Sequence, residues 1–313
     1  MDALPLPVDA RQTIQRWLRE DAPSFDYGGA VVGATPAQGM LWIKSSGVLA
    51  GRPWFDAVFA ELGCAVRWTA DWEGQWIAPT AHGSSTTSVT PVHLATVTGP
   101  AQRLLLGERL ALNLLSRCSG VATAAHAYRQ LAKQRDWHGV VAGTRKTTPG
   151  FRAVEKYGMQ VGGADMHRMD LSSMVMLKDN HLASVALACG GSVTDAHTVQ
   201  EAVRRARLAA GFALKVEVEC SSEETARVAI LAGAEVVMLD NMPPAMFRDV
   251  AARLRRDPQL QPYQGGYRIE ASGGITLDTV GEYMCADADI VSVSLAQQYR
   301  VVDFSLKVVL TPE

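Results

Sequence analysis

The chain has 313 residues, 48% hydrophobic and 20% charged, with 30 Lys and Arg against 32 Asp and Glu and a formal net charge of −2. That length builds one large domain or two ordinary ones with a real core, and the composition excludes a mostly disordered chain. A balance so close to neutral disfavours a nucleic-acid binder. No uncharged apolar stretch approaches the roughly 18 residues of a membrane span, and the opening MDALPLPVDA lacks the basic start and apolar run of a signal peptide. Cys64, Cys118, Cys189, Cys220 and Cys285 are scattered without a CxxC pair. They predict reduced thiols, a cytoplasmic location and no cysteine zinc site.

Residues 11–20, RQTIQRWLRE, place Ile14, Trp17 and Leu18 on one helical face. Leu41-Trp42-Ile43-Lys44 reads as a strand, and 53–62 as a helix closed by Gly63. The Ser/Thr-rich stretch 82–90, HGSSTTSVT, reads as a flexible loop or insertion. In 102–117, Leu104, Leu105, Leu106, Leu110, Leu112, Leu114 and Leu115 cover most of a helix circumference, predicting a helix buried on several sides. Arg109, Asn113 and Arg117 form one polar stripe on it. That stripe either faces water or presents guanidinium groups to a site or another subunit.

From residue 138 the pattern alternates. Short strands at 139–143, 174–177, 214–219, 235–239, 267–271 and 289–293 are separated by helical segments, predicting parallel β/α units with right-handed crossovers. Ser221 with Glu224 fits a capping box, and Pro243-Pro244 open the following helix. Side-chain parity separates the two candidate architectures. Lys215, Glu217 and Glu219 share one strand face against Val216 and Val218, and Arg268, Glu270 and Ser272 repeat the pattern. Both faces of an open doubly wound sheet should be apolar, so the charged face predicts a barrel whose lumen is a binding pocket.

Polar residues collect where the strands end, the place where β/α folds carry their sites. Arg145, Lys146 and Lys178 follow strand ends directly, with Arg152, Lys156, His167, Arg168 and His181 in the same window. Converging cations imply a small polyanionic ligand, because guanidinium forks grip carboxylates or phosphates bidentately. Ser272-Gly273-Gly274, with a helix expected after it, fits either an anion nest or a tight turn. Its place after the penultimate strand matches the usual barrel phosphate site, with Ser292-Val293-Ser294 as the other half. Glu219 and Asp240 can accept ribose hydroxyls or hold magnesium, or else ion-pair with Lys178 or Lys215. Together these features suggest the joining of an organic acid to a phosphorylated sugar.

Gly143-Thr144-Arg145-Lys146-Thr147-Thr148-Pro149-Gly150-Phe151-Arg152 closely resembles the signature of the quinolinate phosphoribosyltransferases. Glu155-Lys156-Tyr157-Gly158, Gly162-Gly163 with His167-Arg168, Lys178-Asp179-Asn180-His181, 215–219, Leu239-Asp240-Asn241 and 270–275 continue the resemblance in order. Gly107-Glu108-Arg109 with Asn113 and Ser119-Gly120 extends it backwards, and Asp303-Phe304-Ser305-Leu306-Lys307 forwards.

The resemblance implies an α/β protein: an N-terminal α/β sandwich-like domain, 1–118, completed by 297–313, and an incomplete, TIM-like α/β barrel, 119–296. It implies transfer of phosphoribosyl from phosphoribosyl pyrophosphate to quinolinate with decarboxylation, giving nicotinate mononucleotide, pyrophosphate and CO2. Arg145, Lys146, His167, Arg168 and Lys178 would bind quinolinate, with Arg109 lent by the neighbouring subunit of a homodimer. Some members assemble further into a hexamer, a trimer of dimers. Glu219 and Asp240 would serve the ribose and Mg2+, the ion being held mainly by substrate without a dedicated protein cage. Ser272, Gly273, Gly274 and Ser294 would hold the phosphate. Two departures stand out: many relatives carry glycine where this chain has Ser294, and 69–93 is longer than in close relatives. The first motivates an alternative, a homologue that binds an aromatic acid and a sugar phosphate without turnover or with an altered substrate.

Overall fold

A computed structural model describes residues 5–81 and 89–310. In chain order its first elements are α1 (Ala10–Asp21), α2 (Tyr27–Val32), β1 (Pro36–Ile43), β2 (Gly47–Val48), α3 (Arg52–Glu61) and β3 (Ala65–Trp68). Next come β4 (Trp76–Ile77), β5 (Thr80–Ala81), β6 (Val89–Thr90), β7 (Val92–Pro100), α4 (Ala101–Gln134), β8 (Val140–Ala142) and α5 (Arg152–Val161). Then follow β9 (Val175–Leu177), α6 (Asp179–Cys189), α7 (Ala196–Ala210), β10 (Val216–Cys220), α8 (Glu223–Leu231), β11 (Val236–Asp240) and α9 (Pro244–Arg256). The chain finishes with β12 (Arg268–Ser272), α10 (Val280–Tyr283), β13 (Ile290–Ser292) and β14 (Phe304–Leu310).

Two compact units result. One comprises Met1–His126, Thr147–Gly163 and Ala296–Glu313, the other Ala127–Lys146 and Ala164–Leu295. In the first, an antiparallel sheet runs β14-β1-β7-β3, with the C-terminal strand pairing along β1 from Ala37↔Leu310 to Ile43↔Phe304. Alternate residues of β1, from Ala37 to Leu41 and Ile43, point inward, where they meet Ile14, Trp54, Phe55, Phe59, Leu104 and Phe304 in one core. Burial of such aromatic and branched side chains is the main stabilising term.

The packing units differ from the sequence division at 118/119 in one element. Residues 147–163 were expected in the barrel, but α5 belongs to the first unit because its apolar Val154 and Tyr157 join that unit's core. It runs so close to α4 that a Cβ on Gly158 would lie 2.6 Å from the Cys118 carbonyl oxygen, which only glycine avoids. Helix α4 itself runs well past the expected 102–117. Leu104, Leu112, Leu114 and Leu115 are buried, while Leu105 and the stripe of Arg109, Asn113 and Arg117 are exposed. Of the Ser/Thr-rich stretch, 82–88 lie outside the described residues, whereas Val89–Thr90 form a strand paired with Thr80–Ala81.

A buried carboxylate ties this unit together. Glu73 accepts from the Gly51 and Arg52 backbone N–H groups at 2.9 and 3.1 Å, and from the Tyr157 hydroxyl at 2.7 Å. It thus caps the start of α3 in place of the glycine there, which has no side chain to do so. Burial pushes the Glu73 carboxyl up, with the Gly51 and Tyr157 hydrogen bonds pulling back.

The second unit is built on a six-stranded parallel sheet ordered β8-β13-β12-β11-β10-β9. Its edges, β8 and β9, have no strand pairing to each other, so the barrel is incomplete, as expected. Asp165 covers the free edge of β8: its N–H donates to the Val141 oxygen and its carbonyl accepts from Gly143 N, both at 2.8 Å. Strand β10 extends to Cys220, so the helix behind it starts at Glu223. The cap therefore falls on Ser222, whose hydroxyl accepts from Thr225 N at 3.1 Å, and not on Ser221. Among the described residues no helix is long and apolar enough to cross a membrane.

Replacing Glu73 with Ala leaves two backbone N–H groups and a phenol buried without their acceptor. At about 1–3 kcal/mol for each stranded donor, the variant should unfold in urea with a stability loss of about 3 kcal/mol or more, read from the midpoint shift at unchanged slope.

Candidate active site

Gly143, Thr144, Arg145, Lys146, His167, Arg168, Lys178, Glu219, Asp240, Asn241, Glu270, Ser272, Gly273 and Gly274 surround one cavity of about 350 Å³, with Met176, Met238 and Ser292 in its wall. All lie in the second unit. Most follow the C-terminal ends of β8 to β12, since parallel strands carry consecutive βα loops to one rim. The volume suits a small organic ligand.

Cations line one side. Arg145 and Lys146 follow β8 directly, and Lys178 follows β9. The Lys178 backbone N–H donates to His181 Nδ1 at 3.0 Å, which anchors the lysine at the start of α6 and gives His181 a structural task outside the cavity wall. Lys178 Nζ ion-pairs with Glu219, the partner that the alternative sequence reading named for it. Burial, and then the Arg145 cation, lower the Arg168 pKa, while Glu217 opposes them; the guanidinium stays charged in any case.

Behind the cations lies a buried acidic pair. Glu217 and Glu270 have no solvent exposure, and His167 Nε2 stands 3.2 Å from Glu270 Oε2 and 3.7 Å from Glu217 Oε2. Neither Glu217 oxygen has a hydrogen-bond partner. Burial and then the Glu270 charge push the Glu217 carboxyl well above the usual range, against the pull of Arg168 and Lys178. These two acids show in the sequence as members of an inward-facing parity and inside the motifs 215–219 and 270–275; nothing local there signals their convergence on His167.

The glycine turn occupies the far side. Gly273 and Gly274 take φ values of +102° and +63°, and Asn241 opposite takes +56°. A Cβ on Gly273 would lie 2.6 Å from the Asn241 backbone nitrogen and 2.8 Å from its Cα, so glycine is demanded by conformation and by space. The helix expected immediately after this turn does not form there: α10 begins at Val280 and is four residues long. Any anion-binding capacity of the turn therefore rests on loop N–H groups rather than on a helix terminus. Among the described residues three non-glycine residues have positive φ, Asp136, His167 and Asn241, and two of them line this cavity, where strained backbone concentrates when function needs it.

Of the site residues expected from sequence, Arg145, Lys146, His167, Arg168, Lys178, Glu219, Asp240, Ser272, Gly273 and Gly274 come together here. Two do not. Ser294 is absent from the cavity wall, whereas Ser292, at the end of β13, is present. Arg109 is exposed on α4 in the first unit, beside Asp26, Tyr27 and Leu105. Sequence reasoning missed Asn241 as a wall residue, although an Asn directly after a strand is a signal for positive φ.

Two family models match nearly end to end. "Quinolinate phosphoribosyl transferase, N-terminal domain" covers residues 26–119, and "Quinolinate phosphoribosyl transferase, C-terminal domain" covers 121–307. The nicotinate-nucleotide pyrophosphorylase [carboxylating] of Homo sapiens is 48% identical over 303 residues, 96% of this chain and 92% of the relative. That of Rattus norvegicus is 46% identical, over 96% and 91%. The crystal structure of NadC from Streptococcus pyogenes superposes with a TM-score of 0.80 at 32% identity, covering 99% of each chain.

Gly273→Ala should pull the turn away from Asn241 and weaken inorganic phosphate binding at least about tenfold by calorimetry, while circular dichroism stays native.

Proposed function

The chain belongs to the quinolinate phosphoribosyl transferase family, and on that premise we propose that it transfers phosphoribosyl from phosphoribosyl pyrophosphate to quinolinate, releasing pyrophosphate and CO2 and leaving nicotinate mononucleotide. The bracketed word in the relatives' name describes the same reaction from the nucleotide side. One observation carries the reading: a single cavity sets Arg145, Lys146, Arg168 and Lys178 against Glu219 and Asp240, with Ser272-Gly273-Gly274 beyond. That is the charge pattern for an aromatic dicarboxylate beside a phosphorylated sugar.

The cations fix the two carboxylates by charge-assisted hydrogen bonds and aim the ring nitrogen at ribose C1. Glu219 and Asp240 face the ribose, accept its hydroxyls and offset positive charge that grows on the sugar ring as pyrophosphate departs. The quaternary nitrogen then draws the electrons of the breaking C–C bond, and the 2-carboxylate leaves as CO2. The chain supplies position and field, and no nucleophile. Mg2+ fits the same two acids, which offer hard oxygen donors from adjacent strands. When bound it neutralises pyrophosphate charge, held largely by the substrate itself.

The active unit in this reading is a homodimer in which Arg109 of one subunit completes the cavity of the next; its exposure on α4 leaves it available for that. Assembly to a hexamer is compatible. Five free thiols suit a reducing cytoplasm.

Purified protein given quinolinate, phosphoribosyl pyrophosphate and Mg2+ should release CO2 in one-to-one ratio with nicotinate mononucleotide. Turnover of nicotinate but not quinolinate would sink the assignment, and quinolinate binding without turnover would favour the non-catalytic alternative. Arg109→Ala and Arg145→Ala should each lose at least about 100-fold in kcat/KM, at the scale of a lost charged contact. Mixing and reassociating the two variants should restore up to about a quarter of wild-type activity, since random pairing makes half the dimers mixed and each of those keeps one intact site. No recovery argues against a shared site.

A further inference from the structure

His167 was expected to grip the ligand, yet both its ring nitrogens are engaged by the chain itself. Nδ1 accepts from the Arg168 backbone N–H at 2.8 Å. Nε2 lies 3.2 Å from Glu270 Oε2, with Glu217 Oε2 at 3.7 Å. An Nδ1 that accepts carries no proton, so the ring proton sits on Nε2 and points at carboxylate oxygens. The backbone is held as tightly: His167 has φ +55°, and its N–H donates to Asp165 Oδ1 at 2.6 Å. A left-handed histidine costs free energy, and the ring offsets that cost by bonding forward to the next residue.

His167, Glu217 and Glu270 also have the composition of a divalent metal site, their ligand atoms all lying within 4.8 Å of one another. The Arg168 bond weighs against that use. A metal on Nε2 moves the imidazole proton to Nδ1, where it would meet the Arg168 N–H head-on.

We propose that Glu270 is a positioning residue: by holding the Nε2–H of His167 it aims Nδ1 at the Arg168 N–H, and so fixes the turn that presents the Arg168 guanidinium to the dicarboxylate. A flipped imidazole would present ring carbons where Nδ1 and Nε2 now bond, and so loses both bonds. The identity of the ligand rests on the function proposed above; the bracket of Glu270, His167 and Arg168 does not.

Two measurements test it separately. In 15N-labelled protein, imidazole nitrogen shifts should report His167 as the Nε2–H tautomer in the wild type and in Glu270→Gln, whose carbonyl still accepts. Glu270→Met should lose that preference. In kinetics, Glu270→Met should raise KM for quinolinate about tenfold and leave KM for phosphoribosyl pyrophosphate within about twofold, with Glu270→Gln recovering most of the loss. A merely structural acid would shift the melting temperature and both KM values alike. In a His167→Asn background, where Asn tolerates the positive φ, Glu270→Met should add nothing further. The proposal is overturned if Glu270→Met acts equally in both backgrounds, if the tautomer is insensitive to Glu270, or if elemental analysis finds one equivalent of Zn2+ or Mn2+ lost on His167→Asn. Failure of the wild type to use quinolinate would strike the functional reading alone, because the nitrogen shifts judge the bracket without turnover.

Discussion

Two carboxylates buried on one face of a parallel sheet set the terms for everything around them. Glu217 on β10 and Glu270 on β12 have no solvent exposure, and like charges so placed repel strongly where water cannot screen them. The offsetting groups are the Nε2–H of His167 and the positive fields of Arg168 and Lys178. Those last two are also cavity-wall cations. Their charge therefore serves the buried acids behind as well as any anion in front. Charge placed in advance in this way is where such sites gain over water.

Much of this could be read from the chain before its fold was known. Short strand-like runs between helical segments placed six strands within one or two residues of where they form. Parity put Glu217 and Glu270 on the inner face, since adjacent side chains must oppose. What stayed hidden was convergence. His167 and Glu270 are 103 residues apart, and their contact depends on the left-handed turn at 167, which a histidine does not advertise. The core that α5 packs into was hidden on similar grounds: its polar motif residues pointed to the site, while Val154 and Tyr157 pack into the core of the first unit.

The glycine turn illustrates a second limit. Sequence identified Gly273 and Gly274 as an anion turn and assumed a helix dipole behind them. The dipole is missing because the chain makes a turn through Thr276 and Thr279 before a single helical turn at 280–283. The glycine requirement survives for a different reason: the strand-end loops after β11 and β12 press together at Asn241 and Gly273. Of Ser292 and Ser294, the wall takes Ser292, where β13 ends.

The Lys178–Glu219 pair brings the two halves of the cavity into one electrostatic account. Lysine belongs to the cationic side and glutamate to the sugar side, so without ligands each side neutralises part of the other. Lys178 is 43% exposed and Glu219 15%, and ion pairs with that much water contribute little, about 0–1 kcal/mol. Opening the pair therefore costs little. In the proposed reaction a carboxylate takes Lys178 while a ribose takes Glu219, and each exchange leaves the other partner free for its own ligand. The near-neutral total charge of the chain reflects the same arrangement: opposite charges are segregated within one cavity, and their sum conceals how strongly each side can bind.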